Sequence, residues 1–482
     1  QTMQRAWSNG RTAFGSLGRF GSARDRVKAS LPSWYNLQRA MQTTEHKNGY
    51  NRFSNPIRGV DKVSWHPNKH GQDLTWHSLE PSDARASMIA PLLPQGLQHS
   101  ARVLQRWIPN LGVNLMIGAA AEISRYRPGN GGFRIWVYSD PQAAEREAVG
   151  LAQGMEVKHA TYNTGFAGAK IVCDASGADK SVLKVNKEEL MKATAALLHE
   201  LNGTMYTGCD LNTTTSDMDL LSKDCPYVLA AIANESVNPN DATAFGVLGA
   251  VESVLESFNG KTVLVHGCGS VGGTVARELV RSGARVYTID AVAAKADIEG
   301  ATNISKGTPE YVEEFWKMKV DALVPCSISG LISMEIAQEL GCKAIVGATN
   351  LPFRSVEVQE QVEASGIVFV PEGVSSAGAV IVDSIEHFDL KAFKEAQPND
   401  IYEFCRHVVL NKTTELLLTA RLREIVTSQA TKLISEEYGA SEENDCPKMP
   451  IGRTFRFWSQ GRGSVINPGA AGAQRALLRR GA

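Results

Sequence analysis

At 482 residues the chain is too long for a single hydrophobic core, so two domains with appendages is the expected organisation. An apolar fraction of 43% with 21% charged residues is ordinary for a soluble globular enzyme, and no internal repeat or low-complexity tract is visible. Lys plus Arg number 50 against 51 Asp plus Glu, a balance that gives no reason to expect nucleic acid or an acidic membrane as the main partner.

The first thirty residues carry Arg5, Arg11, Arg19, Arg24, Arg26 and Lys28 against the single acid Asp25, with Ser and Gly between. Two readings of residues 1–40 stand side by side: an organelle transit peptide, which would place the protein in a mitochondrial or other matrix, and a disordered basic tail on a cytoplasmic one. Residues 41–110 are dotted with Pro, His and Trp without periodicity and read as an irregular extension. The longest apolar stretch, around Leu111 to Ile123, is broken by Asn114 and falls short of the ~18 residues that span a bilayer. It reads as buried strand or helix.

Residues 111–238 are regular. Gly132 to Tyr138 is a β-rich run, Gln142 to Glu156 has the spacing of an amphipathic helix, and Asn186 to Asn202 repeats it, with Asn186 as N-cap and Gly203 as stop. Near Asn238-Pro239 the text changes. After a helix from about Ala242 to Phe258, strands at Thr262–His266, Arg285–Asp290, Ala322–Pro325, Ala344–Gly347 and Ile367–Val370 alternate with helix-length segments such as Val271–Ser282. Alternation of this kind predicts a parallel sheet with crossover helices over 239–388. Helical text returns over 389–440, mainly Tyr402 to Tyr438, before a Gly/Arg-rich tail, 441–482. The expected fold is α/β in two domains: an α/β substrate domain, then a Rossmann-like doubly wound dinucleotide domain, with the C-terminal helices returning to the first.

The eight cysteines (Cys173, Cys209, Cys225, Cys268, Cys326, Cys342, Cys405, Cys446) include no CxxC pair, so neither a zinc knuckle nor a redox dithiol is signalled. They read as reduced, mostly buried thiols of an intracellular protein, and no metal-ligand cluster is evident.

The segment Gly267-Cys268-Gly269-Ser270-Val271-Gly272 follows a strand and opens a helix that stops at Gly283, and a second strand ends in Asp290. Here Gly267 permits the tight turn, Gly269 lets backbone approach a pyrophosphate and Gly272 lets helix and strand pack closely. The helix N-terminus then offers unpaired N–H groups to the phosphates. Asp290, 18 residues beyond Gly272, is placed to accept hydrogen bonds from both ribose hydroxyls and to repel a 2′-phosphate, and no Arg follows it directly. That combination points to NAD rather than NADP.

Upstream, Lys158 and Lys170 lie twelve residues apart, the second closing the small-residue loop Gly165-Phe166-Ala167-Gly168-Ala169-Lys170, and Asp210 follows in Tyr206-Thr207-Gly208-Cys209-Asp210. Desolvation beside a second cation is expected to lower the Lys170 ammonium into the range useful for acid–base work. Taken singly, each lysine also fits a solvated surface charge.

Over about Pro128 to Phe388 these residues fall into ordered blocks: Pro128-Gly129-Asn130-Gly131-Gly132-Phe133-Arg134, Met155-Glu156-Val157-Lys158, Gly168-Ala169-Lys170, Thr207-Gly208-Cys209-Asp210, Thr243-Ala244-Phe245-Gly246-Val247, the dinucleotide loop, Val324-Pro325-Cys326, Gly347-Ala348-Thr349-Asn350-Leu351-Pro352 and Ala377-Gly378. In order and spacing they resemble the Glu/Leu/Phe/Val dehydrogenases, nearer the leucine/phenylalanine type in the catalytic blocks. The resemblance implies that Lys158 grips the substrate α-carboxylate and that Lys170 activates water and stabilises the carbinolamine. It implies that Asp210 exchanges protons with the amine, that Thr243 and Asn350 lie near ribose and nicotinamide, and that Cys326 belongs to the cofactor side. Asn130, Gly131 and Gly132 fall on the substrate side. The implied reaction is reversible, NAD-dependent oxidative deamination of an L-amino acid to a 2-oxo acid and ammonia, in a homo-oligomer assembled through the substrate domain.

The chain departs from that pattern in places. Asn130 stands where glutamate enzymes carry Lys and leucine enzymes an apolar residue, so it disfavours glutamate without suiting a leucyl side chain; a small, polar or aromatic amino acid fits better. Ser375-Ser376 stand where Asn is usual, and Ala167 and Ala169 replace glycines, which negative φ angles would tolerate. Two other readings compete: a catalytically silent NAD or amino-acid sensor of the same fold, and a glutamate dehydrogenase with an atypical pocket.

Overall fold

The computed structural model describes residues 76–78, 101–178, 181–439 and 449–461. The basic segment 1–40, and with it the choice between transit peptide and tail, lies outside the described residues.

Seven strands among the described residues form the first sheet: β1 (Trp76–Ser78), β2 (Arg102–Ile108), β3 (Val113–Ala119), β4 (Gly129–Asn130), β5 (Phe133–Trp136), β6 (Ala167–Asp174) and β7 (Met205–Tyr206). β6 is its axis. It runs antiparallel to β3, which continues through β2 to β1, and parallel to β4 and β5, with β7 beyond β4. Residues 102–108, expected within an irregular extension, are therefore a strand. Only Val103 and Leu104 in it are buried while Trp107 is exposed, so too few positions alternate for a period of two to show.

α1 (Pro141–Tyr162) covers one face of this sheet. Asp140 caps it by accepting from Ala143 N–H, Pro141 occupies the first turn, and Asn163 in the left-handed region ends it. Ala144, Ala148 and Val149 pack on Val103, Met116 and Val172. On the opposite face, α2 (Lys187–Leu201), capped by Asn186 as the sequence predicts, and α3 (Thr215–Asp224) bury Leu190, Leu198, Met218 and Leu221 against Leu115, Ile117, Ile135 and Ile171. The small residues Ala167-Gly168-Ala169 are explained by α1. A Cβ on Gly168 would lie 2.2 Å from Ala152 O and 2.3 Å from Glu156 N, so only glycine lets helix and strand approach this closely. These residues are the start of β6 and not the tight loop expected from their size. Ala167 and Ala169 lie outside the left-handed region, so both alanines are accommodated without strain.

The second sheet follows α4 (Pro239–Leu255). Its elements are β8 (Thr262–His266), α5 (Ser270–Arg281), β9 (Arg285–Ile289), β10 (Thr302–Asn303), β11 (Ala322–Pro325), α6 (Met334–Glu339), β12 (Ala344–Val346), α7 (Val356–Ala364) and β13 (Val368–Val370). The spatial order is β10-β9-β8-β11-β12-β13 with every pairing parallel. The chain winds outward from β8 to β10 and then crosses back to β11, leaving a topological switch point beyond the carboxyl ends of β8 and β11. This is the doubly wound arrangement, and its inner strands β8, β11 and β12 are largely buried apolar runs because helices cover both faces.

α8 (Glu372–Ser375) and α9 (Gly378–Phe388) lead into α10 (Pro398–Arg423) and α11 (Thr427–Gly439), which divide the long helical text at Glu424, a left-handed residue. Nothing in composition signals that break, since Glu is a good helix former. α10 lies along α4, whereas α11 packs on α1, with Thr161 Oγ1 and Ser435 Oγ 3.1 Å apart, so it is α11 that returns to the first domain. Within the expected tail, Ile451–Thr454 folds against α9, where Gly452 N–H donates to Ser384 Oγ at 3.0 Å, and Phe455–Ser459 against α10, where Phe455 meets Phe404 edge-on. No helix among the described residues is long and apolar enough to cross a membrane.

Candidate active site

β5, β6 and the segment after β7 bring three charged groups together. Lys170, near the middle of β6, is 6% exposed, and its Nζ lies 2.9 Å from Asp210 Oδ2. Arg134 on β5 donates from Nε to the same oxygen at 2.8 Å and also pairs with Glu147 of α1. The Asp210 turn is pinned by Thr213, whose Oγ1 accepts from Asp210 N–H at 2.8 Å and donates to Phe133 O at 2.7 Å. Burial alone would push the Asp210 carboxyl up. The Lys170 and Arg134 cations outweigh it, and the group titrates well below the usual carboxylate range. Arg134 stands in the block around Gly131-Gly132, but its role is visible only once β5 and the Asp210 turn are seen side by side.

Lys158, on α1, faces the same space. Its Nζ donates to Ser376 O at 3.1 Å, and its ammonium is pushed down to about 8 by burial; Glu372 opposes that shift and Lys170 adds to it. Burial raises the Glu372 carboxyl, whose Oε1 accepts from Leu351 N–H at 2.7 Å, against the opposing effects of that N–H and of Lys158. Lys158, Lys170, Asp210 and Asn350 thus line one cavity of about 750 Å³, its open mouth included, together with Arg134 and Glu372. Four of the residues predicted from sequence meet here, and Arg134 and Glu372 are additions. Ser375 Oγ donates to Gly347 O (2.6 Å) and Ser376 Oγ to Glu372 O (2.9 Å), so both serines serve backbone positioning.

The dinucleotide loop is a second cluster. Gly267 has φ +89°, and a Cβ on Gly272 would fall 1.9 Å from Gly267 O and 2.9 Å from Cys326 Cβ, so both glycines are obligatory and Cys326 is part of the floor they close on. A Cβ on Gly269 would meet nothing within 4 Å, leaving open space over the start of α5. No side chain caps that helix, so the N–H groups of Ser270 and Val271 end it as an uncompensated positive pole. Asp290 closes the arrangement: Oδ2 accepts from Cys268 N–H and Oδ1 from Val292 N–H, each at 2.8 Å. A phosphate-bearing dinucleotide fits such a cradle. Thr243 is engaged elsewhere, donating to Pro239 O at 3.0 Å and accepting from Ala379 N–H at 3.2 Å.

Gly131 and Gly132 have a packing reason: added Cβ atoms would lie 1.7 Å from Ala169 O and 2.6 Å from Cys209 O. Asn130 is 1% exposed and turned towards α9, its Nδ2 donating to Asp383 Oδ2 at 3.1 Å. His159 holds the Asn130 carbonyl through Nε2 at 3.2 Å, and burial keeps its ring neutral by lowering it to about 3. The seven described cysteines are free thiols; Cys209 is exposed, Cys326 half-buried and the rest buried.

A parallel sheet with a glycine cradle at its switch point thus stands beside a cleft holding two lysines and a carboxylate. Residues 113–227 match the family described as Glu/Leu/Phe/Val dehydrogenase, dimerisation domain, and residues 290–415 match Glutamate/Leucine/Phenylalanine/Valine dehydrogenase. The chain is 29% identical to leucine dehydrogenase of Bacillus subtilis (strain 168) over 262 residues, 53% of this chain and 70% of that protein. It is 26% identical to L-tryptophan dehydrogenase of Nostoc punctiforme over 320 residues, 64% and 85% of the two chains. The hetero-hexameric glutamate dehydrogenase of Thermus thermophilus (Leu bound form) superposes with a TM-score of 0.59 at 18% identity, covering 75% of this chain and 97% of that one. The chain belongs to the Glu/Leu/Phe/Val dehydrogenase family and is an amino acid dehydrogenase, an oxidoreductase acting on CH–NH2 donors.

Proposed function

We propose that the protein oxidises an L-amino acid with NAD and water to a 2-oxo acid, ammonium and NADH, reversibly. The observation that carries this is the convergence of Lys158, Lys170, Asp210 and Asn350 on one cavity. A nicotinamide ring bound along the cleft supplies the acceptor for the hydride leaving Cα. Lys158 presents its ammonium to the α-carboxylate and fixes the substrate's orientation. Lys170 removes a proton from the water that attacks the imine carbon, and its returning charge stabilises the carbinolamine. Asp210, 2.9 Å from Lys170, exchanges protons with the nitrogen as it leaves. Arg134 acts through Asp210 as a positioning residue, holding the same Oδ2 that pairs with Lys170. Asp290 at the end of β9 supports NAD over NADP, because a 2′-phosphate would meet its carboxylate. The match of residues 113–227 to a dimerisation domain supports assembly as a homo-oligomer through the first sheet.

NADH formation from the twenty L-amino acids, with NADP in parallel, tests the reading. Turnover of at least one amino acid is expected, with NAD preferred by about 100-fold in kcat/KM, the worth of one well-placed hydrogen-bonded charge. Bound NADH with no turnover of any amino acid would leave a sensor instead; preference for NADP would remove the role given to Asp290.

The depressed Lys158 ammonium has a pH signature. A carboxylate needs the charged form, which is present below about 8 and lost as pH rises through it. KM for the amino acid at saturating NAD is expected to rise above that point, by up to about tenfold per pH unit, while Lys158→Arg flattens the profile. A wild-type KM that stays constant to pH 10 would mean that Lys158 does not hold the carboxylate.

A further inference from the structure

α9 carries two acids in otherwise apolar text, and only one of them is satisfied by the fold. Glu386 accepts the backbone N–H groups of Ala231 (3.0 Å) and Ala233 (2.9 Å) and so ties down the segment after β7. Asp383 has no comparable use. Its one hydrogen bond comes from Asn130 Nδ2 at 3.1 Å, and among the described residues no Lys, Arg or His pairs with it. On the other side of that amide, Asn130 Oδ1 is buried without any donor.

The backbones that carry both residues are tied down. His159 holds the Asn130 carbonyl and its Nδ1 lies 2.7 Å from Thr164 Oγ1, while Thr164 O accepts from Ser384 Oγ at 2.7 Å, next to Asp383. β4 and α9 are thereby fastened to the same end of α1. The pair also borders the reacting groups. Asn130 directly precedes Gly131, whose backbone abuts Ala169 and Lys170. Gly132, the next residue, abuts the Asp210 turn: an added Cβ would lie 2.6 Å from Cys209 O and 2.9 Å from Asp210 Cβ. Asp383 is enclosed yet keeps some exposure, as a side chain lining a recess does. Burial, with Glu386 adding to it and the Asn130 hydrogen bond opposing, pushes its carboxyl well above the usual range, a shift that an adjacent cation would oppose.

We propose that Asn130 and Asp383, which lie beyond the residues lining the cavity and next to the Gly131-Gly132 segment, receive the far end of the substrate side chain and select one that ends in an N–H donor. Two inward acceptors, an amide oxygen and a carboxyl, match an ammonium, guanidinium, imidazole or indole N–H. An apolar side chain would leave Asn130 Oδ1 without a donor and Asp383 with only its bond from Asn130, and an anionic one would face the Asp383 carboxyl. This assignment rests on the reading of the cleft as an amino acid oxidation site.

The test is kcat/KM with NAD for lysine, arginine, histidine and tryptophan against leucine, phenylalanine and glutamate, in the wild type, Asp383→Leu and Asp383→Asn. The highest wild-type value is expected within the first group. Asp383→Leu should lower it by about 100-fold and raise leucine or phenylalanine by about tenfold, with Asp383→Asn, which keeps the volume and one acceptor, in between. NADH binding serves as the folding control in each variant. A wild-type preference for leucine, phenylalanine or glutamate, or an unchanged preference in both variants, would overturn the proposal while leaving the dehydrogenase reading intact. No turnover of any amino acid by wild type that binds NADH would overturn both.

Discussion

Lys170→Ala is expected to lower kcat for amino acid oxidation by about 10³-fold or more, the scale of removing a general base that also stabilises developing charge. NADH affinity should be unchanged, because Lys170 lies in β6 whereas the phosphate cradle is built from Gly267, Gly269 and Gly272 beyond β8. The fold should survive as well. Alanine is the residue on the N-terminal side of Lys170 in the same strand, and Arg134 still satisfies Asp210 Oδ2 at 2.8 Å. Steady-state NADH formation with a parallel NADH titration measures both quantities. Full activity in the variant would remove Lys170 from the chemistry, and loss of NADH binding would show that the two clusters are not separate.

Asp210→Asn is the second large effect. It keeps the shape of the side chain but removes the charge that balances Lys170 and the Nε face of Arg134. Turnover should fall by about 10²- to 10⁴-fold, since an amide cannot exchange a proton with the departing nitrogen. Stability should fall too. Lys170 would be left nearly buried without its partner, which costs about 3 kcal/mol in sites of this kind, and Arg134 would keep only Glu147. A lower melting temperature together with lost turnover is the expected pair of results; an active variant would exclude Asp210 as the proton carrier.

The parts of this protein that were legible in its sequence are those whose reason is local. The glycine loop could be read because its turn and helix start are set within a few residues, and the structure shows a positive φ at Gly267 and no room for a Cβ at Gly272, where one would fall 1.9 Å from Gly267 O. Asn186 could be read as a cap for the same reason. What the sequence hid depends on partners far along the chain. Ala167-Gly168-Ala169 looks like a turn until α1 is laid over it, and the length of β6 follows from that packing. Arg134 sat in plain view in the block around Gly131, yet its partner is 76 residues on. Asn130 marked the substrate side, but the acid it bonds, Asp383, is 253 residues away, flagged only as a carboxylate inside apolar helical text.

The tie between Asp290 and the Cys268 amide has a consequence for how this protein could change over evolutionary time. The carboxylate assigned to the ribose is also the clasp that holds the glycine turn closed, through the 2.8 Å bond to Cys268 N–H. Exchange of Asp290 for a neutral residue therefore does two things at once: it lifts the charge barrier against a phosphorylated ribose and unfastens the cradle that must grip the pyrophosphate. A lineage drifting towards the other cofactor has to find a new acceptor for that amide before the substitution becomes useful. On the proposed preference for NAD, Asp290 would act through shape as well as through charge.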